Sequence, residues 1–282
     1  MNLSLALASA MVLGAADFAG GLAAKHTRAF VVVCWSNAAG LLTALAFAGL
    51  LSRGDTGLPD ALWGGLAGLC GSTGAILLYH ALANGVMGLV APTTAAAAAA
   101  LPVVAGVMLG DRLTALAVVG VLCALASVLL VSLTGDDSAG DRNRGKALRS
   151  VGLAVVAGAG FGLFFVFLAR TPSESSLWPL VFARCASLTL LLGIGLARRT
   201  SVRLQPRPAR LAVLAGVLDM GSSVLFLIAV KDGALAIVGL LASLYPISTV
   251  LLAHFLLGER LRRVQYLGAV LAVGSVLLLA WG

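Results

Sequence analysis

The chain has 282 residues, of which 60% are hydrophobic and only 11% are charged. The core of a soluble protein of this length cannot bury so much apolar surface, so the composition excludes an ordinary soluble fold and indicates a membrane protein. The formal net charge is +8. The basic residues lie in short loops beside apolar runs, a pattern that indicates membrane topology and argues against a nucleic-acid partner.

Ten apolar runs are long enough to cross a bilayer as helices, since a spanning helix needs about 20 residues. They do not alternate with a period of two residues and are too long for spanning strands. We therefore predict an all-α membrane protein with ten transmembrane helices. The predicted spans are residues 3–24, 29–51, 61–83, 86–109, 114–133, 150–169, 177–197, 209–230, 234–257 and 264–281.

The distribution of Lys and Arg residues predicts the orientation of these helices. Loops on one side of the predicted membrane hold fourteen of them, and loops on the other side hold four. An excess of basic residues marks the cytoplasmic side. Both termini are therefore predicted to face outside.

The first predicted helix carries a carboxylate, Asp17, flanked by small residues. A charged side chain at the bilayer centre costs about 2.5–3.5 kcal/mol on insertion scales, so it needs a partner or a function. Burial favours the neutral form of a carboxylic acid. Asp17 is therefore predicted to bind either a proton or a cationic group of a substrate. The alternative is a structural hydrogen bond to a neighbouring helix.

The third and fourth predicted helices add further candidates for the substrate site. Tyr79 and His80 end the third helix, and consecutive helical residues diverge, so only one of them can point directly at a cavity. Pro92 and Pro102 bracket a run of alanines in the fourth helix, which favours bending and close packing. Thr93 either binds substrate or hydrogen-bonds back to its own helix.

A repeated tetrad follows the fourth and ninth predicted helices, as GDRL beginning at Gly110 and as GERL beginning at Gly258. Both glycines suit the left-handed backbone at the end of a helix. Asp111 and Glu259 then begin the next helix, where a carboxylate complements the helix dipole. We predict a structural role for both carboxylates, with direct contact to substrate as the alternative.

Aromatic residues in the second half are candidates for the wall of a cavity. Phe161, Phe164 and Phe165 share one face of the sixth helix by their spacing. Tyr245 in the ninth helix precedes Pro246, which frees backbone groups that must be packed or line a cavity. We predict that these side chains line an apolar cavity. Packing or lipid contact is the alternative.

Two further charges fall within predicted spans, Arg184 in the seventh helix and Asp219 in the eighth. One prediction is that they form a neutralising ion pair, which is the usual solution for buried charge. The alternative is that Asp219 is a second group that binds a proton or substrate. We assign Arg184 a structural role. The four cysteines lie within spans and lack the spacing of metal ligands, so neither a metal nor a cofactor is predicted.

The second half of the chain repeats the first. LGDRLTALAVVGVLCALASVLL, beginning at Leu109, aligns without a gap with LGERLRRVQYLGAVLAVGSVLL, beginning at Leu257. Each half contains five predicted helices, and an odd number inverts the second half in the membrane. Inverted repeats are typical of secondary transporters with a central substrate site. We predict one repeat over residues 1–133, a polar linker over 134–149 and the second repeat over 150–282.

These residues resemble the EamA family of the drug/metabolite transporter superfamily. The resemblance is carried by the five-plus-five duplication and by YPISTVLLAHFLLGERLRRVQYLGAVLAVGSVLLL in the second half. The first half departs from this pattern, because Ala98 stands at the position equivalent to Pro246. The resemblance implies a central cavity lined by helices 1, 3, 4, 6, 8 and 9, and export across a bacterial inner membrane.

We predict a secondary transporter that exports an amino acid or related amphiphile by alternating access with proton coupling. It is expected to be a monomer whose partners are its small-molecule substrate, protons and membrane lipid. A multidrug or organic-cation exporter is the alternative of the same class. A membrane-embedded enzyme acting on lipid-linked substrates is disfavoured, because no acid–base or metal cluster and no nucleophile motif is found.

Overall fold

The computed structural model describes residues 3–24, 26–51, 56–84, 87–110, 114–132, 144–172, 177–231 and 233–257, together with residues 267, 270, 271, 274 and 278. The side chains of some helical residues, among them 79–84 and 87–93, are outside the described part. Within these ranges the secondary structure is helical. The helices are α1 Leu3–Ala24, α2 Ala29–Leu51, α3 Leu58–Asn84, α4 Met87–Met108, α5 Ala115–Ser132, α6 Arg144–Ala169, α7 Trp178–Ala197, α8 Pro206–Lys231, α9 Leu235–Ala242 and α10 Tyr245–Leu257.

Six of these helices are long and apolar enough to cross a membrane, namely α1, α2, α3, α6, α7 and α8. Their outward-facing positions carry exposed aliphatic side chains such as Leu42 and Leu50, as expected where the surrounding medium is lipid. The chain is therefore a multi-pass helical membrane protein. The tenth predicted span, 264–281, lies largely outside the described residues.

The predicted ninth helix is divided in the structure. Helix α9 ends at Ala242 and α10 begins at Tyr245, with the N–H of Leu244 donating to the carbonyl of Leu241 at 3.1 Å in a tighter turn. Pro246 in the first turn of α10 has no N–H to donate, so a continuous helix would lose a hydrogen bond there. The single span predicted over 234–257 was therefore wrong at this point.

The boundary between the linker and the second half also differs from the prediction. Helix α6 begins at Arg144, so the last six residues assigned to the polar linker are helical. The stretch from Arg144 to Arg149 contains Lys, Ala, Leu and Arg, which are strong helix formers. Hydropathy located the membrane span but not the helix, which extends beyond it.

Helix packing follows a reciprocal pattern between the two halves of the chain. Helix α1 packs against α8, and α3 packs against α6; likewise α2 packs against α8, and α3 against α7. In a repeat of five helices, α1 corresponds to α6, α2 to α7 and α3 to α8. This exchange turns the contact of α1 with α8 into that of α6 with α3, and the contact of α2 with α8 into that of α7 with α3. This pattern is what a two-fold repeat produces, and the inverted repeat itself stays a prediction.

Glycines allow the closest of these contacts. A Cβ at Gly68 of α3 would overlap the backbone of Ala183 in α7, and a Cβ at Gly216 of α8 would overlap the backbone of Ser36 in α2. Small residues of this kind let membrane helices approach until their backbones touch. They bring polar groups on α2, α3, α7 and α8 close to one another.

Candidate functional site

A cavity of about 150 Å³ lies among α1, α2, α3, α6, α7 and α8, with the start of α10 at its edge. Its lining combines three charged side chains with an amide, several hydroxyls and an aromatic wall. The polar residues that line it are Asp17, Ser36, Asn37, Ser72, Arg184, Ser187, Asp219, Ser222, Ser223 and Tyr245.

An ion pair forms part of the cavity wall. Arg184 of α7 donates from Nη2 to Oδ2 of Asp219 on α8. Its Nη1 donates to Oδ1 of Asn37 on α2 at 3.2 Å, and Asn37 Nδ2 in turn donates to the carbonyl of Val33 at 3.0 Å. The ion pair that the sequence allowed as one alternative is therefore present. Helix α2 packs against both α7 and α8, which explains why its amide joins the pair.

Asp17 has a different environment from Asp219. It lines the same cavity from α1, yet it has neither a hydrogen bond nor an ion pair in the part of the chain that the structure describes. Its carboxylate interacts electrostatically with that of Asp219. With both carboxylates ionised, two negative charges face one positive charge, so the lining of the described cavity carries a net charge of −1.

The aromatic wall comes from α6. Phe161, Phe164 and Phe165 all line the cavity. Phe165 also packs against Phe226 of α8, with a distance of 4.5 Å between ring centroids, and Phe226 is fully buried. Phe165 therefore both lines the cavity and packs α6 against α8. Tyr245 adds a phenol at the start of α10.

Comparison with known proteins identifies the second half of the chain. Residues 148–281 match the EamA-like transporter family. Over these residues the chain is therefore similar to EamA-like transporters. This confirms the family resemblance predicted from the residues around Pro246 and Glu259.

Two curated relatives are similar to part of the chain. Protein RarD of Salmonella typhi and Protein RarD of Salmonella typhimurium are each 31% identical to it over 120 residues, which is 42% of this chain and 41% of each relative. The match thus spans about two-fifths of the length of these relatives. A protein of known crystal structure shares the fold, with a TM-score of 0.77 and 18% identity over 98% of this chain and 95% of that one.

The EamA-like domain and its partner half bring together only some of the predicted site residues. One cavity is lined by six of them, namely Asp17, Asp219, Arg184, Phe161, Phe165 and Tyr245. Five others lie in helices, but their side chains are outside the described part of the structure; these are Tyr79, His80, Pro92, Thr93 and Pro246. Asp111 and Glu259 lie outside the described residues altogether.

Two of the predicted structural features lie away from the cavity. Pro102 of α4 is buried, and its ring occupies the space that a Cβ at Gly239 of α9 would need, so it packs α4 against α9. Gly110 follows α4 with a φ of +104°, which confirms the left-handed end predicted for that helix. Gly258 lies outside the described residues.

The sequence did not indicate the contribution of α2, nor that of Ser187 on α7. The family resemblance implied a cavity lined by helices 1, 3, 4, 6, 8 and 9. The described lining instead includes Asn37 on α2 and Ser187 on α7, and it contains no residue of α4. Asn37 is a lone amide in an apolar span, which was an available signal because unpaired polar groups are costly there. The serines gave no such signal, since a serine in a membrane helix can hydrogen-bond within its own turn.

Proposed function

We propose that the chain is a secondary transporter for a small metabolite that carries a positively charged group, an amino acid or related amphiphile. Transport occurs by alternating access across the bacterial inner membrane, in the direction of export. Asp17 binds either a proton or the cationic group of the substrate. The EamA-like domain supports transport of a small molecule, in preference to catalysis on a lipid-linked substrate.

The observation that supports this site is the net charge of the described cavity. Among the residues that the structure describes, Arg184 neutralises Asp219 and no cation faces Asp17. A carboxylate in a low-dielectric site is costly when ionised and unpaired, so it takes up a proton or a cationic ligand. Because both occupy the same carboxylate, one displaces the other. This competition is the simplest physical basis for exchanging protons against substrate.

The reciprocal helix pairs support the architecture that alternating access needs. Contacts between α1 and α8 and between α3 and α6 match two halves, residues 1–133 and 150–282, related by inversion in the membrane. Two such halves rock about a site at their interface, and the cavity takes residues from both. Both termini face outside in this proposal, following the basic residues of the loops.

An organic-cation or multidrug exporter is the second candidate. The same unpaired Asp17 supplies a counter-charge for a bulky cation, and the phenylalanines of α6 supply an apolar wall with faces for cation–π contact. The two candidates differ in the ligand, since a metabolite amine offers N–H donors and a typical drug cation offers few.

The test is thermal unfolding of the purified protein against amino acids, primary and quaternary amines, polyamines, nucleosides and sugars. A ligand that binds only the folded state raises the midpoint. We expect stabilisation by ammonium-bearing compounds, and its loss in Asp17→Asn. We then expect labelled forms of the stabilising compounds to exchange across proteoliposome membranes that contain the wild type. We expect no such exchange across membranes that contain Asp17→Asn.

Asp60→Asn is the matched control. Asp60 is also a buried aspartate, but it caps α3, where its Oδ2 accepts a hydrogen bond from the N–H of Gly57 at 2.8 Å. An amide oxygen can still accept this bond, and the residue does not line the described cavity. Stabilisation by sugars or nucleosides alone, or a response to amines that persists in Asp17→Asn, contradicts the proposal.

A further inference from the structure

We infer that the cavity selects a primary ammonium group, R–NH₃⁺, over a quaternary ammonium of equal charge. This inference rests on the proposed function, because it specifies the chemistry of the cation that Asp17 binds. It comes from the direction of the hydrogen bonds in the lining, which leaves the cavity rich in acceptors.

The hydroxyl protons of the serines are already committed to backbone carbonyls. A carbonyl oxygen can only accept, so each serine bonded to one must be the donor, and a hydroxyl has a single proton to give. All five serines that line the described cavity make such bonds. The donor–acceptor pairs are Ser36 to Ala212 at 2.9 Å, Ser72 to Gly68 at 2.7 Å, Ser187 to Gly68 at 2.8 Å, Ser222 to Ser9 at 2.9 Å and Ser223 to Asp219 at 3.0 Å.

These serines therefore face a ligand as acceptors. Each hydroxyl oxygen keeps a lone pair after donating its proton, and Asp17 adds two carboxylate oxygens. A ligand that fills the cavity must supply donors for these oxygens, because a buried acceptor that loses water and gains no partner is penalised.

The described lining has few side-chain donors that are not already hydrogen-bonded. Arg184 already donates to Asp219 and Asn37, and its side chain is only 11% exposed. The other N–H groups of Arg184 and Asn37 remain as donors. A ligand that presents only acceptors, such as a carboxylate, thus supplies no hydrogen-bond donor to Asp17 or to the serine oxygens.

A primary ammonium matches this arrangement. It carries one positive charge for Asp17 and three N–H donors for the surrounding oxygens. A quaternary ammonium carries the same charge and keeps any cation–π contact with the phenylalanines, but it has no N–H. The difference between the two isolates the hydrogen bonds from the charge.

The experiment measures binding of phenylethylammonium and its N,N,N-trimethyl derivative to the purified full-length protein by calorimetry. We expect the primary ammonium to bind at least about tenfold more tightly, since each charge-assisted hydrogen bond that is lost costs about that factor. A third probe, with two methyl groups on the carbon beside the nitrogen, has comparable bulk but keeps all three N–H donors. It is expected to bind like the primary amine.

The outcomes separate the inference from the proposed function. Equal binding of the primary and quaternary ions overturns the inference alone and leaves Asp17 as a counter-charge. Weak binding of both the quaternary ion and the bulky primary amine also overturns it, because bulk then explains the difference. Failure of all three cations to bind contradicts the proposed function and the inference together.

A pair of neighbouring variants tests the acceptor role within the protein. Ser72 and Thr73 each donate to a carbonyl one turn earlier in α3, at 2.7 Å in both cases. Ser72 lines the cavity and Thr73 is exposed outside it. We expect Ser72→Ala to weaken phenylethylammonium several-fold with little effect on the trimethyl derivative, and Thr73→Ala to change neither. Equal losses for both probes in Ser72→Ala overturn the acceptor role of Ser72.

Discussion

Arg184 of α7 and Asp219 of α8 form an ion pair in the wall of the cavity. It occupies the one guanidinium of the described lining and leaves Asp17 without a cation. In the proposed function, the different roles of the two aspartates follow from this contact. We propose that Asp219 is the structural partner of Arg184 and that Asp17 binds a proton or a ligand.

Breaking the ion pair from one side should destabilise the protein. Arg184→Leu leaves Asp219 unpaired, at a cost we place at about 2–3 kcal/mol, below the usual range for buried pairs because the Asp219 side chain is 33% exposed. The double variant Arg184→Leu/Asp219→Leu should recover most of this loss, since no buried charge remains. Thermal midpoints of the single and double variants measure the coupling. Losses that simply add would show that the pair contributes no coupling.

The close approach of α3 to α7 should be sensitive to a single methyl group. Gly68→Ala places a Cβ against the backbone of Ala183, and such overpacking costs typically about 1–3 kcal/mol. Gly65→Ala is the control on the same helix, because its Cβ would lie 4.0 Å from Ala186 in ordinary contact. A lower melting temperature is expected for Gly68→Ala and little change for Gly65→Ala. Equal effects of both would contradict the described helix contact.

A phenylalanine of the cavity wall and a phenylalanine packed behind that wall should respond differently to substitution. Phe226 is fully buried against Phe165, so Phe226→Ala should lower stability by about 3 kcal/mol or more through lost contacts. Phe161 lines the cavity, so Phe161→Ala should change stability less and weaken binding of phenylethylammonium. Melting curves and calorimetry on both variants measure the two effects. The reverse ranking in stability would place the packing core elsewhere.

Ligand binding should strengthen as pH rises, because a proton and an ammonium compete for Asp17. In the described lining, the charged groups that face it from neighbouring helices are Asp219 and Arg184, which neutralise each other. Between about pH 6 and about pH 8 the affinity for phenylethylammonium should rise, by at most tenfold per pH unit for one displaced proton. Asp60→Asn should retain this dependence, and Asp17→Asn should bind phenylethylammonium weakly at every pH. A pH-independent affinity in the wild type would contradict the competition.

The sequence predicted the helices well and the site in part, for physical reasons that particular residues illustrate. Long apolar runs located α1 and α2 to the residue, because the bilayer fixes the length of a spanning helix. Asp17 and Asp219 were evident because charge at membrane depth is costly. The sequence favoured Asp17 and offered the ion pair of Asp219 with Arg184 as one alternative. That the pair forms could be seen only in the structure, since the two residues are 35 apart in sequence.

Which hydroxyl groups face the cavity could not be predicted from the sequence. Ser72 and Thr73 are adjacent and bond alike, yet only one faces the cavity. Which face of α3 turns inward depends on where α6 and α7 pack, and that depends on glycines whose role is visible only once both helices are placed. Serines therefore become informative only after the fold is known.

The most direct test of the account measures protons released when a ligand binds. Phenylethylammonium is added to the purified wild type in weakly buffered solution with a pH-sensitive dye, and the release is compared with the amount bound. We predict release of up to one proton per ligand in the wild type and in Asp60→Asn, and no release in Asp17→Asn. Saturable binding without proton release across the pH range, or undiminished release in Asp17→Asn, would contradict it.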